Sequence, residues 1–303
     1  MYNMDKLYEA VTKRGHVCVG LDTAAEYIPE KERRCSPAEA VFAYNKAIID
    51  ATIDIAACYK IQIAYYEEMG IPGLQSYATT LKYLRGKALV IADIKRGDIA
   101  DTAARYARAH FDGDFEADFV TLNPYLGMDS IEPWLQWAKE KGKGAFVLMR
   151  TSNKGRFDFE CCQLIGQEPA QNPPKKLYDA VGDKLSELAR THLGKYGYGA
   201  FGAVVGADPK SEEERKEAAA IRAERSNLFF LIPGYGAQGG AASDAALLLK
   251  DANGGVVNAS RSILKAWQAG QGDVADADNT FAAQAARRAV IEMRDAILNA
   301  IKA

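Results

Sequence analysis

The stretch Ala88-Leu-Val-Ile-Ala92-Asp93-Ile-Lys95-Arg-Gly97-Asp98-Ile99-Ala-Asp-Thr102 decides how the rest of the chain is read. Residues 88–92 form an unbroken apolar run, the pattern of a strand buried on both faces, and such strands belong to parallel sheets. Three charged residues, Asp93, Lys95 and Asp98, crowd its end. Side chains alternate along a strand, so Asp93 and Lys95 share a face, about 7 Å apart along the axis. Gly97 loosens the turn beyond them, and Asp98 stands where a helix would begin. Buried charge is costly unless it is paired or used. Two readings stand at this point. Asp98 could N-cap a helix from Ile99 while Asp93 and Lys95 form a structural ion pair, or the three charges could be chemistry.

Working outward, short apolar runs alternate with helical patterns along the whole chain. Strands are expected at 17–21 (ending in Asp22), 57–62 (carrying Lys60), 119–123, 145–150, 201–205, 228–232 and 255–258. Helices are expected at 38–52 (opened by Ser36-Pro37), 73–85, 99–111, 129–141, 177–193, 211–225, 241–250 and 281–301. Some eight strand–helix units without a composition break predict an α/β protein, a (β/α)8 TIM barrel forming a single domain over residues 1–303. The stretch 151–174 lacks periodicity, holds the Cys161-Cys162 pair, and reads as a long loop with an insertion at 154–174.

The chain has 303 residues, 48% hydrophobic and 26% charged, with a net charge of -2. Near-neutral charge argues against nucleic acid or an anionic membrane as partner. The five cysteines, an odd number without metal-ligand spacing, suggest reduced thiols and a cytoplasmic protein. No basic-then-apolar leader opens the sequence and no apolar run reaches membrane length. The three histidines are scattered, which argues against a histidine metal site or triad.

In a barrel of this kind the reactive groups gather at the carboxyl ends of the strands. Asp22, Lys60, Asp93, Lys95 and Thr151-Ser152-Asn153 all fall there. Lys60 inside an apolar strand needs a carboxylate, and Asp93 on the next strand can supply it. An alternating Lys60, Asp93, Lys95, Asp98 array would keep all four groups charged. After strands seven and eight come Gly234, Gly236, Gly239 and Gly240 with Gln238, then Ser260-Arg261. Glycines let backbone approach phosphate oxygens and Arg261 can fork onto them, so a phosphate site is expected. The same glycines fit G-x-G-x-x-G, but they follow the seventh strand and no acidic residue ends the next one, so a dinucleotide site is set aside.

The spacing Asp93-x-Lys95-x-x-Asp98-Ile99, with Thr102 beyond, resembles the signature of orotidine 5'-monophosphate decarboxylases. The likeness extends along most of the chain and is nearest the longer bacterial branch. By that resemblance Lys60, Asp93, Lys95 and Asp98 would be catalytic. Asp22 would contact the ribose, Ser152 would read the pyrimidine, and Gly236, Gln238, Ser260 and Arg261 would grip the phosphate. Asn-Ala-Ser260-Arg261 departs from the family, where many relatives carry Gly before the Arg. The implied reaction is loss of CO2 from orotidine 5'-monophosphate to give UMP, with no cofactor and no metal. The resemblance also implies a homodimer in which Asp98, Ile99 and Thr102 serve the partner subunit's site. The competing readings are a Mg2+-dependent decarboxylase of 3-keto-sugar phosphates, a non-catalytic nucleotide-binding barrel, and a Schiff-base aldolase using Lys95. Against the first, a Lys60 ammonium in the second strand would repel the metal. Against the last, flanking carboxylates would keep Lys95 protonated.

Overall fold

The apolar run that ends in Asp93 is the third of eight parallel strands in a computed structural model, which describes residues 1–164, 174–236, 241–269 and 276–303. Helix α1 (Asn3–Arg14) leads into strand β1 (Val17–Gly20). Then follow α2 (Pro37–Thr52), β2 (Cys58–Gln62), α3 (Ala64–Glu67), α4 (Gly70–Leu84), β3 (Val90–Arg96) and α5 (Ala100–Phe111). The middle of the chain holds β4 (Phe119–Leu122), α6 (Glu132–Lys141), β5 (Gly144–Arg150), α7 (Leu177–Arg190), β6 (Phe201–Val205) and α8 (Glu212–Glu224). It closes with β7 (Phe230–Ile232), α9 (Ala242–Ala246), β8 (Gly255–Ala259), α10 (Arg261–Leu264) and α11 (Asn279–Lys302). Each strand bonds to the next and β8 returns to β1, with Val17 opposite Val257, so the sheet is the closed barrel expected from the alternation.

Strands β1, β4, β6 and β7 are buried at every position, which is why they read as apolar runs. One set of side chains faces the helices and the other faces the barrel axis. The inward set is layered by the period of two. Cys58, Ile91, Phe119, Phe146, Phe229 and Val256 form an apolar floor. Two residues further along the same strands stand Lys60, Asp93, Thr121, Leu148, Leu231 and Asn258, which line a cavity at the carboxyl ends. The floor is sealed by Met4, Leu7 and Val11 of α1, a helix outside the sequence reading although its apolar spacing is helical.

Helix α2 starts as its sequence dictates: Ser36 and Glu39 bond reciprocally, with Pro37 in the first turn. The third strand carries Asp93 and Lys95 at its end as expected and stops at Arg96, but α5 begins at Ala100 with Ile99, not Asp98, at the N-cap position. Asp98 Oδ1 instead accepts the N–H of Ile99 at 2.8 Å. Lys95 and Ala100 bracket this bend with φ of 45° and 47°, a region that non-glycine residues enter only when their surroundings hold them there. Helix α9 stops at Ala246, short of the expected 250. Among the described residues, no helix is long and apolar enough to cross a membrane.

Truncating the floor plug should cost what a buried leucine costs. Leu7→Ala is expected to lower unfolding stability by about 2–5 kcal/mol, read as a lower urea midpoint, with the kcat of the folded protein unchanged.

Candidate active site

Asp93 occupies the centre of the site because β3 places it beside β2, with Gln62 directly opposite it in the register. Its two oxygens are fully used. Oδ2 accepts from Lys60 Nζ at 3.0 Å and Gln62 Nε2 at 3.1 Å. Oδ1 accepts from Lys95 Nζ at 2.6 Å and the Thr121 hydroxyl at 2.8 Å. Lys60 in turn reaches Asp22 Oδ1 at 3.0 Å, and Asp22 Oδ2 accepts the Ser260 hydroxyl at 2.8 Å. Gly20 leaves room for that last bond, since a Cβ there would fall 2.0 Å from Ser260 Oγ.

The order of charges is therefore Asp22, Lys60, Asp93, Lys95. The expected fourth member, Asp98, is not brought in: among the described residues it pairs with no cation, and Asp22 takes the fourth place at the other end of the row. Burial alone would raise the Asp93 pKa, but the ammonium groups of Lys60 and Lys95 outweigh it and hold the carboxyl well below its ordinary range. For Lys60 burial alone would depress the pKa, and the Asp22 and Asp93 carboxylates overturn that and raise it. The row is unevenly wet. The Lys60 side chain is 6% exposed, whereas that of Lys95 is 46% exposed at the cavity mouth.

Two residues of this array lay outside the sequence reading. Thr121 bonds Asp93 and also accepts the backbone N–H groups of Ile94 and Lys95, both at 3.0 Å, so it fixes the bent backbone from which Lys95 projects. Gln62 follows Lys60 by two residues, and that period was the available signal for it. Asn258, two residues beyond Val256, lines the cavity with a buried Oδ1 that has no partner among the described residues.

The cavity measures about 270 Å3 and is bounded by Lys60, Asp93, Lys95 and Thr121 on one side and by Thr151, Ser152 and Asn153 on the other. A larger hollow of about 710 Å3 lies at the opposite end, around Met1 and Lys195, without a buried charge array. Of the expected phosphate residues, Gly236 takes a φ of +70° near Ser262, Ser260 sits beside Asp22, and Arg261 is exposed at the head of α10. Gln238, Gly239 and Gly240 lie outside the described residues, as do 165–173 of the expected insertion. Ile99 is 47% exposed and Thr102 is exposed on α5, both outside the set that lines their own chain's cavity.

The sequence profile of the "Orotidine 5'-phosphate decarboxylase / HUMPS family" matches residues 15–271. The orotidine 5'-phosphate decarboxylase of Clostridium perfringens (strain SM101 / Type A) is 53% identical over 300 residues, covering 98% of each chain. That of Clostridium tetani is 50% identical over 301 residues, again covering 98% of each. The solved structure of Leishmania donovani OMP decarboxylase superposes with a TM-score of 0.72 at 30% identity, over 98% of this chain and 100% of that one. The same organism's UMP synthase superposes at 0.73 with 31% identity, over 97% of this chain but only 57% of the longer partner.

The charge row carries its own pH signature. Because the folded Asp93 pKa is depressed, its contribution to stability is complete above its unfolded value of about 4 and is lost as pH falls below that. Wild-type protein should therefore lose stability on acidification more steeply than Asp93→Asn. Lys60→Ala removes the cation shared by Asp22 and Asp93, leaving Asp93 with Lys95 and Asp22 with no other ion pair among the described residues. It is expected to cost on the order of 3–5 kcal/mol at neutral pH and to recover part of that as one carboxyl takes a proton, measurable by urea unfolding across pH.

Proposed function

Because the chain belongs to the orotidine 5'-phosphate decarboxylase family, we propose that the Lys60–Asp93–Lys95 array performs the family's chemistry. The reaction is the decarboxylation of orotidine 5'-monophosphate to UMP, and the chain is a carboxy-lyase of pyrimidine nucleotide synthesis.

In this reaction the bond from C6 to the carboxylate breaks and its electron pair stays on C6, in an orbital that the pyrimidine ring delocalises poorly. A fixed ammonium beside C6 stabilises that pair and then delivers a proton to it. Lys95 is the group proposed for both duties, and after transfer its neutral amine regains a proton from water. The observation that supports this best is the 2.6 Å contact of Lys95 Nζ with Asp93, whose ionised state Lys60 protects from behind. Asp93 and Lys60 act as the orienting frame. Asp22 keeps lone pairs free for ribose hydroxyls, Ser152 and its neighbours face the pyrimidine, and Gly236, Gln238, Ser260 and Arg261 take the phosphate.

The proposal extends to a cytoplasmic, single-domain homodimer working without metal or organic cofactor. Support for the dimer comes from Asp98, Ile99 and Thr102, which leave their own cavity unlined. The apolar surface at Ile99, at Tyr125 (81% exposed) and at Leu126, on the loops after β3 and β4, adds to it. In that assembly the three residues would complete the partner's site.

The test is a spectrophotometric assay with orotidine 5'-monophosphate, expected to show turnover that EDTA leaves unchanged; loss in EDTA with rescue by Mg2+ would overturn the metal-free mechanism. Lys95→Ala should lower kcat by more than about 10^3-fold while UMP still binds, and near-normal turnover would remove Lys95 as proton donor. Mixing inactive Asp98→Asn and Lys60→Ala chains should restore activity through hybrid dimers that hold one intact site. Absence of recovery once subunit exchange is demonstrated rules out sharing.

A further inference from the structure

Thr151, Ser152 and Asn153 follow the last residue of β5 and line the cavity, so no sheet ladder holds them in place. Thr151 is held by Glu160, from the long loop whose role the sequence left open, while the Asn153 carbonyl accepts the Arg156 N–H at 3.1 Å. The Glu160 carboxylate folds back onto Thr151. Its Oε2 accepts the Thr151 backbone N–H at 2.8 Å and its Oε1 accepts the Thr151 hydroxyl at 2.7 Å.

Glu160 is itself anchored. Its carbonyl accepts the N–H of Tyr178 at 3.0 Å, and the Tyr178 hydroxyl donates to Glu217 of α8 at 2.6 Å. Glu217 also takes Arg150 Nε, from the end of β5, at 3.3 Å. Upstream, buried Arg156 is held by Glu214 at 2.9 Å and Asp208 at 3.6 Å, which fixes the turn leading to Glu160. The cavity-lining segment is thus gripped on both sides, through Arg150 from α8 and through Thr151 from Glu160.

The Thr151 hydroxyl also lies 2.6 Å from Asn153 Oδ1, so one side chain stands between Glu160 and Asn153. A hydroxyl carries one proton and gives it to one of these two acceptors at a time.

We propose that Glu160 is a positioning residue for base recognition, holding Thr151-Ser152-Asn153 in the arrangement that reads the pyrimidine. It acts through Thr151 and touches no reacting atom. The proposal rests on the reading of Ser152 given above, and it gives the described part of the long loop a task.

The test uses the full-length protein with Glu160→Ala and Glu160→Gln. Measurements are kcat and KM for orotidine 5'-monophosphate, and inhibition by UMP and by ribose 5-phosphate, which has the sugar and phosphate but no base. Glu160→Ala should raise KM and weaken UMP by about tenfold, keep kcat within about threefold, and leave ribose 5-phosphate unaffected. Glu160→Gln, which retains one acceptor, should fall between. Equal weakening of UMP and ribose 5-phosphate, or an unchanged KM, overturns the proposal. If Glu160→Ala does not fold, Thr151→Val removes the hydroxyl from the other end and should shift the same two quantities. Combined with Glu160→Gln it should be less than additive, and full additivity counts against the coupling. Wild-type protein with no turnover would sink the functional reading itself, whereas normal wild-type turnover with an indifferent Glu160→Ala sinks only this one.

Discussion

A single buried carboxylate, Asp93, is the joint on which the site depends. It accepts four side-chain hydrogen bonds, two of them from ammonium groups that repel each other. Take it away and Lys60 and Lys95 have no common partner, and the Thr121 hydroxyl has only backbone to bond. Such an arrangement is poor economy for stability alone, because desolvating several charges offsets most of what their attraction returns. Its advantage is preorganisation. Lys95 Nζ is held 2.6 Å from Asp93 without help from any substrate, so under the proposed mechanism little around it would have to reorganise.

The barrel supplies this arrangement with a simple device. Along six strands an apolar residue at the floor is followed two positions later by a cavity residue, as in Cys58 to Lys60, Ile91 to Asp93, Phe119 to Thr121 and Val256 to Asn258. The floor, with α1 beneath it, closes one end of the barrel, and the polar row above opens at the other. The low-dielectric floor strengthens the interactions just above it. That Lys60 is nearly dry while Lys95 is half-exposed follows from their heights in this stack.

Much of this was legible in the residues. The alternation of apolar runs and helical patterns led to the closed barrel, and Lys60 inside an apolar strand pointed to Asp93, because a buried amine needs a carboxylate. Less could be seen where partners come together from distant segments. Thr121 and Asn258 carry no charge, so nothing in their own strands marks them as different from a satisfied core hydroxyl or amide. Asp22 was read as a substrate contact, and its pairing with Lys60 is set by the β1–β2 register, which the one-dimensional pattern does not fix. Asp98 looked like the natural end of the row from spacing alone. The bend at Lys95, where φ turns positive, carries the chain away before Asp98 is reached.

That bend also explains why β3 cannot simply be a longer strand. Strict alternation puts Lys95 on Asp93's face, but one step higher and about 7 Å away along the strand. A contact of 2.6 Å requires the long side chain to fold back or the backbone to turn toward it. Residues two apart already share a face, so the bend serves distance rather than side. Thr121 holds that turn by accepting both the Ile94 and Lys95 N–H groups, while donating its own proton to Asp93. One uncharged hydroxyl thus sets both the backbone from which Lys95 projects and the carboxylate it meets, and so couples the positive-φ conformation directly to the position of Lys95 Nζ.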